Sequence, residues 1–275
     1  MRRFAFFVLP ALFFLSACSS NNVTEDNSLK KYFDSAGVTG SFGLFDNGQG
    51  QFTVYNLKAF KDSAYLPAST FKIVNSLVGL QTGRISNTNM VIKWDGITRF
   101  YPLGDTATGW NKDLSMKEAF NASAVPYYQE VARRIGKDTM QFWLDSISYG
   151  SKKITGRIDS FWLDNSLKIT PDEQLGLVKR LYFHQLPFFP FYQDKVIHAM
   201  LFENNSNYAL SYKTGWGQYD GKQLGWVLGW IEENKHPYFF VLNVESTDAS
   251  IDMVNIRMKM LKDILKQLGF FEGRM

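Results

Sequence analysis

Three aromatic-rich segments near the C-terminal end constrain the fold of this 275-residue chain more than any other feature. They read YALSYKTGW (208–216), QLGWVLGWIE (223–232) and YFFVLNVES (238–246), and short links containing Gly, Asp, Asn or Pro separate them. Runs rich in aromatic and β-branched residues are typical of strands, and links this short can join only antiparallel neighbours. The three segments therefore predict an antiparallel β-meander.

The N-terminal part predicts a hairpin in the same sheet. Residues 41–56 read SFGLF, then the turn-like DNGQG, then QFTVYN. Between hairpin and meander, residues 67 to about 205 show mainly helical patterns, most clearly at 121–136 and 170–183, and residues 252–268 predict an amphipathic closing helix. Together these patterns predict an α+β fold: one antiparallel β-sheet formed from both chain ends, with a mostly helical inserted region.

The first 18 residues have the order of an export signal. Arg2 and Arg3 precede an apolar run over residues 4–15, which is too short to span a bilayer, and Leu-Ser-Ala-Cys follows. This ending resembles the lipobox of bacterial lipoproteins, so we expect Cys18 to be lipidated and the protein to be periplasmic and membrane-anchored through Cys18. Residues 19–28 predict a polar tether and residues 29–275 the folded domain.

Charge and residue usage exclude several classes of function. The net charge is only +4 and the basic residues are scattered, so no nucleic-acid partner is expected. Cys18 is the single cysteine, which excludes an internal disulfide. His184, His198 and His236 lie in no metal-ligand spacing, so we expect neither a metal site nor a Ser-His-Asp arrangement.

The segment PASTFKIVNSLVGLQTG (67–83) places Ser69 and Lys72 three residues apart where an apolar helical pattern begins. On a helix the two side chains lie on one face, about one turn apart. Burial and the positive end of the helix dipole both disfavour the charged form of Lys72, and a neutral amine can take the proton of a serine hydroxyl. Ser-x-x-Lys alone is weak evidence, because Ser28 and Lys31 repeat the spacing.

Two further motifs follow in order. Ser123-Ala124-Val125 precedes an amphipathic helix, and Lys213-Thr214-Gly215 lies on a predicted strand. A serine nucleophile with its lysine, a second serine and then Lys-Thr-Gly is the order found in penicillin-recognising serine acyl-enzymes.

The chain resembles the class D β-lactamases, the oxacillinase family, over nearly all of its mature length. Val125 stands where class A enzymes and most penicillin-binding proteins have asparagine, and no clear Glu-x-x-Leu-Asn segment is present. One position departs from the family pattern Tyr-Gly-Asn, because Ser151 replaces the asparagine. The resemblance rests on the motifs Ser69-Thr70-Phe71-Lys72, Ser123-Ala124-Val125, Tyr149-Gly150, Phe161-Trp162-Leu163-Asp164, Lys213-Thr214-Gly215 and Gly225-Trp226-Val227-Leu228-Gly229-Trp230, together with Arg257.

The resemblance implies hydrolysis of the amide bond of β-lactam antibiotics through an acyl-enzyme on Ser69. It implies that Lys72 carries a carboxyl group taken from CO2 and acts as general base, with no other cofactor. The Trp162 indole would donate a hydrogen bond to that group. Ser123 would relay a proton to the departing ring nitrogen.

The remaining motif residues would shape the site and bind the substrate. Val125 and Leu163 would limit access of water. The backbone N–H groups of Ser69 and Trp216, which follows Gly215, would form an oxyanion hole. The β-lactam carboxylate would be received by Lys213, Thr214 and Arg257.

Two other functions share this motif set. A penicillin-binding transpeptidase or carboxypeptidase would acylate but release slowly; Val125 and the match around Trp162 argue against it. A penicillin-binding sensor would remain acylated, and such sensors usually follow transmembrane helices and a zinc-protease domain, neither of which is expected here.

Overall fold

The computed structural model describes residues 22–101 and 105–272. Within them, seven strands form one sheet in the order β1-β3-β2-β9-β8-β7-β6, and β4 pairs with β5 separately. All neighbours in the sheet are antiparallel except β1, which is parallel to β3. The predicted hairpin and meander are confirmed. The strands are β1 (Val23–Glu25), β2 (Thr39–Asp46), β3 (Gln51–Tyr55), β4 (Val91–Ile92), β5 (Leu114–Ser115), β6 (Leu201–Asn204), β7 (Ala209–Tyr219), β8 (Lys222–Glu233) and β9 (His236–Ser246).

The helices fall largely between β3 and β6, so the predicted α+β arrangement with a helical insertion is confirmed. The N-termini of α4 and α7 have capping boxes, in which a Ser or Thr and a Glu three residues later satisfy each other's backbone N–H groups. The helices are α1 (Lys30–Ala36), α2 (Leu57–Asp62), α3 (Lys72–Gln81), α4 (Met116–Asn121), α5 (Val125–Ile135), α6 (Lys137–Ser146), α7 (Pro171–Tyr182), α8 (Pro190–Met200) and α9 (Met253–Gln267).

The sheet separates two apolar cores because successive side chains of a strand point to opposite faces. On β9, Val241 belongs to the core shared with the inserted helices, whereas Leu242 and Val244 belong to the core beneath α1 and α9. Helix α3 lies in the first core and is buried from Lys72 to Leu80. Helix α9 packs on the other face of the sheet, in the second core.

The predicted polar tether over residues 19–28 is wrong for the part that the structure describes. Val23–Glu25 form β1 beside β3, and the Asn22 side chain donates to the carbonyl oxygen of Gly50 at 3.0 Å. A polar segment can serve as an edge strand because one of its sides faces water. Residues 22–28 therefore belong to the folded domain and not to a tether. The predicted export signal over 1–18, with Cys18, lies outside the described residues.

The described part of the chain contains no helix long and apolar enough to cross a membrane.

Strand β7 runs against the turn that precedes α3. A Cβ atom on Gly215 would lie 3.1 Å from the carbonyl oxygen of Pro67 and 3.1 Å from Cγ2 of Thr70. Because that spacing is tighter than ordinary van der Waals contact, a larger residue at Gly215 would push strand and turn apart. Glycine here allows β7 to approach the turn that carries Ser69.

Candidate active site

Ser69 lies in a single 3₁₀ turn, Ala68–Phe71, and Lys72 is the first residue of α3. The sequence predicts both residues on one continuous helix, whereas the structure places the serine in the tighter turn before it. Ala68 has a φ of +48°, a left-handed conformation that is uncommon for a residue with a side chain. The Ala68 N–H donates to the carbonyl oxygen of Trp162 at 3.0 Å, which fixes the turn against the Trp162 segment.

The amine nitrogen of Lys72 is buried beside Ser69. Lys72 is only 1% exposed, and its Nζ donates to Ser69 Oγ at 2.7 Å. Burial, and secondarily the charge of Lys213, holds the pKa of Lys72 well below its ordinary value. A neutral amine at this distance from the hydroxyl can act as a base toward Ser69.

The Trp162 indole is buried, as Lys72 is, and among the described residues its N–H donor is unused. Its ring stacks on Phe71, the neighbour of Lys72, with centroids 5.4 Å apart. Trp162 is fully buried, and its Nε1 finds no acceptor among the described residues. A buried donor without an acceptor is costly, so the position suits a group that supplies acceptor oxygens. A carboxyl group on Lys72 fits that requirement.

Ser123 and Lys213 form a second polar pair. Ser123 has a φ of +53° in the turn between α4 and α5, and its Oγ accepts a hydrogen bond from Lys213 Nζ at 2.9 Å. Burial, assisted by the nearby charge of Arg257, lowers the pKa of Lys213 to about 7. The tertiary structure thus joins two motifs that are distant in sequence.

The Arg257 side chain extends from α9 to Gly215, which follows Lys213 and Thr214 on β7. It is 6% exposed and its Nη1 donates to the carbonyl oxygen of Gly215. Burial lowers the pKa of Arg257 to about 10, while Tyr212 and Asp252 oppose this effect. The guanidinium therefore remains charged at neutral pH and can bind an anion beside Lys213.

A cleft of about 630 Å³ opens over Ser69. Seven of the residues predicted from the sequence line it: Ser69, Ser123, Val125, Leu163, Thr214, Trp216 and Arg257. Lys72, Trp162, Lys213 and Gly215 are buried and do not line it. The Trp216 indole donates to Gln223 Oε1 at 2.9 Å, which fixes the orientation of that side chain.

Several cleft residues escaped the sequence prediction: Tyr101, Asp105, Trp110, Asn121, Ala122, Asp252 and Val254. Tyr101 lies in the loop segment Phe100-Tyr101-Pro102, which contains none of the sequence motifs. Asp252 carries a helix-capping signal, since its side chain accepts from the Asn255 N–H, but that signal does not reveal a cleft. The others lie in loops or at helix ends without a recognisable pattern.

The turn that carries Ser69 is held from behind by residues with no direct chemical role. Gln174 Nε2 donates to Thr70 Oγ1 at 2.8 Å, and Thr70 Oγ1 donates to the Pro67 carbonyl oxygen at 2.6 Å. Trp226 Nε1 donates to the Leu66 carbonyl oxygen at 3.0 Å. These bonds fix the backbone immediately before the serine.

Ser151, the departure from the family pattern, has a definite structural place. Its N–H donates to the Lys168 carbonyl oxygen at 2.7 Å, and its Oγ accepts from the Lys168 N–H at 3.0 Å. The two bonds attach the loop after Tyr149 to the segment that leads into α7. The serine therefore supports the site without lining the cleft.

Residues 22–101 and 105–272 contain no group of His, Cys, Asp or Glu side chains able to hold a metal ion.

Comparison with known proteins agrees with this geometry. The penicillin-binding protein transpeptidase domain matches residues 21–266. Beta-lactamase OXA-48 of Klebsiella pneumoniae is 37% identical over 243 residues, which cover 88% of either chain. The crystal structure of a class D beta-lactamase from Sebaldella termitidis has a TM-score of 0.84 and 31% identity, covering 91% of this chain and 99% of that one.

A similarity to a receptor is also present. The C-terminal domain of the Bacillus licheniformis BlaR penicillin receptor has a TM-score of 0.84 and 28% identity, covering 92% of this chain and 98% of that domain. The fold is that of penicillin-binding proteins of the transpeptidase family. Within that class, the chain belongs to the class D β-lactamase family.

Proposed function

We propose that the protein hydrolyses the amide bond of β-lactam antibiotics through an acyl-enzyme on Ser69. The observation that carries the proposal is the 2.7 Å distance between Ser69 Oγ and the buried Lys72 Nζ. Burial lowers the pKa of Lys72 well below its ordinary value. A serine hydroxyl attacks a carbonyl only when a base can take its proton, and this contact provides one.

Lys72 is proposed to carry a carboxyl group derived from CO2. Because only a neutral amine reacts with CO2, the lowered pKa of Lys72 favours its formation. When bound, the group supplies an anionic base for both acylation and deacylation. Trp162 Nε1, which is buried without an acceptor among the described residues, would hold it.

The other residues act on the tetrahedral intermediate and on water. Backbone N–H groups of Ser69 and Trp216 are proposed to stabilise the oxyanion. Ser123, already hydrogen-bonded to Lys213, would pass a proton to the ring nitrogen as the amide bond breaks. Val125 and Leu163, which line the cleft, would restrict water near Lys72.

The substrate carboxylate is proposed to bind Lys213, Thr214 and Arg257. We expect Arg257→Ala to lower kcat/KM at least about tenfold, mostly by raising KM, because losing a buried charged contact typically costs about 2–5 kcal/mol. Arg180→Ala is the matched control, since Arg180 is also partly buried and donates to a backbone carbonyl, that of Ile147. Steady-state kinetics with benzylpenicillin would measure both variants. Equal losses in the two variants would mean that Arg257 acts only through stability.

A penicillin sensor is the second candidate, because the BlaR receptor domain shares the fold. A hydrolase turns over many equivalents of a chromogenic cephalosporin, whereas a sensor consumes about one per protein. Purified protein mixed with a large excess of the compound distinguishes them. A single stoichiometric burst without further hydrolysis would favour the sensor.

We further propose that the protein is exported to the periplasm and anchored through a lipid on Cys18. The support is the Leu-Ser-Ala-Cys ending of the apolar N-terminal run. We expect wild-type protein expressed in a bacterium to enter the detergent phase of Triton X-114, and Cys18→Ser protein to remain in the aqueous phase. Equal partition of the two proteins into detergent would contradict the proposal.

A further inference from the structure

Gln223 is a buried polar residue near the start of β8, and its side chain is only 2% exposed. Trp216 on β7 pairs with Gly225, which lies two residues after Gln223 on β8. Trp216 and Gln223 are therefore diagonal neighbours on one face of the sheet, close enough for long side chains to meet. This placement brings the Gln223 amide to the Trp216 indole.

The Gln223 amide is hydrogen-bonded at both ends, and only one of its two orientations fits. Its Oε1 accepts from Trp216 Nε1 at 2.9 Å. Its Nε2 donates to the carbonyl oxygens of Ala249 at 2.8 Å and Asp248 at 3.3 Å. An indole can only donate and a carbonyl oxygen can only accept, so exchanging the amide oxygen and nitrogen would break all three bonds. The amide thus holds its partners in a single geometry.

These bonds join two separate parts of the cleft. Trp216 lines the cleft from β7. The two backbone carbonyls that accept from Gln223 belong to the segment 247–252, which connects β9 with α9 and is largely exposed. Asp252 at the end of this segment and Arg257 on α9 line the same cleft. One buried amide therefore links the Trp216 wall of the cleft to the segment that leads into α9.

We propose that Gln223 is a positioning residue for substrate binding, which fixes the Trp216 indole relative to the start of α9. The inference deepens the proposed function and rests on it, because the substrate is the β-lactam. Gln223 does not line the cleft, so it acts only through its partners. The Trp216 backbone is held by its pairing with Gly225, whatever the indole does. The effect should therefore fall on binding and not on the oxyanion hole.

Gln223→Met tests this assignment, because it keeps the length of the side chain and removes its hydrogen bonds. We expect KM for benzylpenicillin to rise about fivefold to tenfold, the effect of one or two ordinary hydrogen bonds, and kcat to change less than about twofold. Steady-state kinetics measures both constants. A variant that had only lost stability would lower kcat through a smaller folded fraction and leave KM unchanged. That pattern, or no change in either constant, would overturn the proposal.

Gln193→Met is the matched control. Gln193 is also fully buried, and its Nε2 donates to two backbone carbonyl oxygens, those of Leu186 and Phe188, but it does not line the cleft. Thermal unfolding should show a lowered midpoint for this variant, while KM stays within about twofold of wild type. A rise of KM equal to that of Gln223→Met would mean that KM responds to any lost buried amide, and the positioning role would be rejected.

Trp216→Phe gives a second route that does not depend on the folding of Gln223→Met. It keeps a ring in the cleft and removes the donor to Gln223, so KM should rise at least about threefold with kcat nearly unchanged. Because the bond between the two side chains is then already absent, adding Gln223→Met should raise KM less than about threefold further. An unchanged KM in Trp216→Phe, or fully additive effects in the double variant, would contradict the proposal.

Failure of this inference and failure of the proposed function give different results. If release is slow, second-order acylation rates read by intact mass replace KM, and the same comparison holds for a sensor. Equal acylation rates of wild type and Gln223→Met would overturn only the positioning role. Absence of any acylation of wild-type protein by benzylpenicillin would overturn the proposed function and, with it, this inference.

Discussion

Replacing Ser69 by alanine is expected to abolish β-lactam hydrolysis and acyl-enzyme formation together. Loss of a serine nucleophile typically lowers kcat by about 10⁴- to 10⁶-fold, because binding and the oxyanion hole remain but no covalent path does. Intact-mass measurement after mixing with a slowly released penicillin should show one adduct on wild-type protein and none on Ser69→Ala.

The chain offers a matched control for this experiment. Ser28 and Lys31 repeat the Ser-x-x-Lys spacing, but they lie far in sequence from the other motifs. The Ser28 Oγ accepts a hydrogen bond from the Gln267 side chain on α9. Ser28→Ala should keep both the adduct and the activity. An adduct of unchanged mass and rate on Ser69→Ala would refute the assignment of the nucleophile.

Removal of CO2 is expected to inactivate the enzyme, and bicarbonate to restore it. The neutral amine of Lys72 takes up CO2, whereas the ammonium does not. Since burial lowers the pKa of Lys72, the neutral form is available above that lowered pKa and is lost as the pH falls through it. Acid treatment with degassing should therefore remove activity, and added bicarbonate at neutral pH should return it. Initial rates at two pH values, with and without bicarbonate, measure the effect.

Trp162→Phe tests the residue proposed to hold the carboxyl group. The variant keeps an aromatic ring but removes the indole donor. A hydrogen bond to a charged group is worth about 1.5–3 kcal/mol, so retention of the carboxyl group should weaken roughly tenfold to a hundredfold. The variant should need more bicarbonate than wild type for the same rate, and it should accumulate acyl-enzyme because deacylation also needs the base.

Trp226→Phe is the matched control for Trp162→Phe. It also removes a buried indole donor, but one that already has an acceptor in the Leu66 carbonyl oxygen. Any loss of activity in this variant should not respond to bicarbonate. If wild type is indifferent to bicarbonate after acid and degassing, Lys72 acts as a plain amine. An equal bicarbonate response in wild type and Trp162→Phe would retain the carboxyl group but reject Trp162 as its holder.

The sequence by itself determined the strands of the meander and hairpin and the order of the motifs. Strand segments such as 223–232 are recognisable because their apolar and aromatic character and the turns beside them are local properties. The Ser69 and Lys72 pair was recognisable for the same reason, since its spacing lies within one turn. The same local information failed for Val23–Glu25, because a short polar segment becomes a strand only where a neighbouring edge, that of β3, is open to it.

Only the tertiary structure decided which distant groups meet and what surrounds them. The Lys213 hydrogen bond to Ser123 and the burial of Arg257 against Gly215 join residues on different elements, so no local pattern encodes them. The buried Trp162 Nε1 without an acceptor among the described residues is likewise a result of packing. The exposed position of Phe202 lies at a one-residue register shift of β6 against β7. Such a shift depends on pairing with β7 and leaves no periodic trace in the sequence.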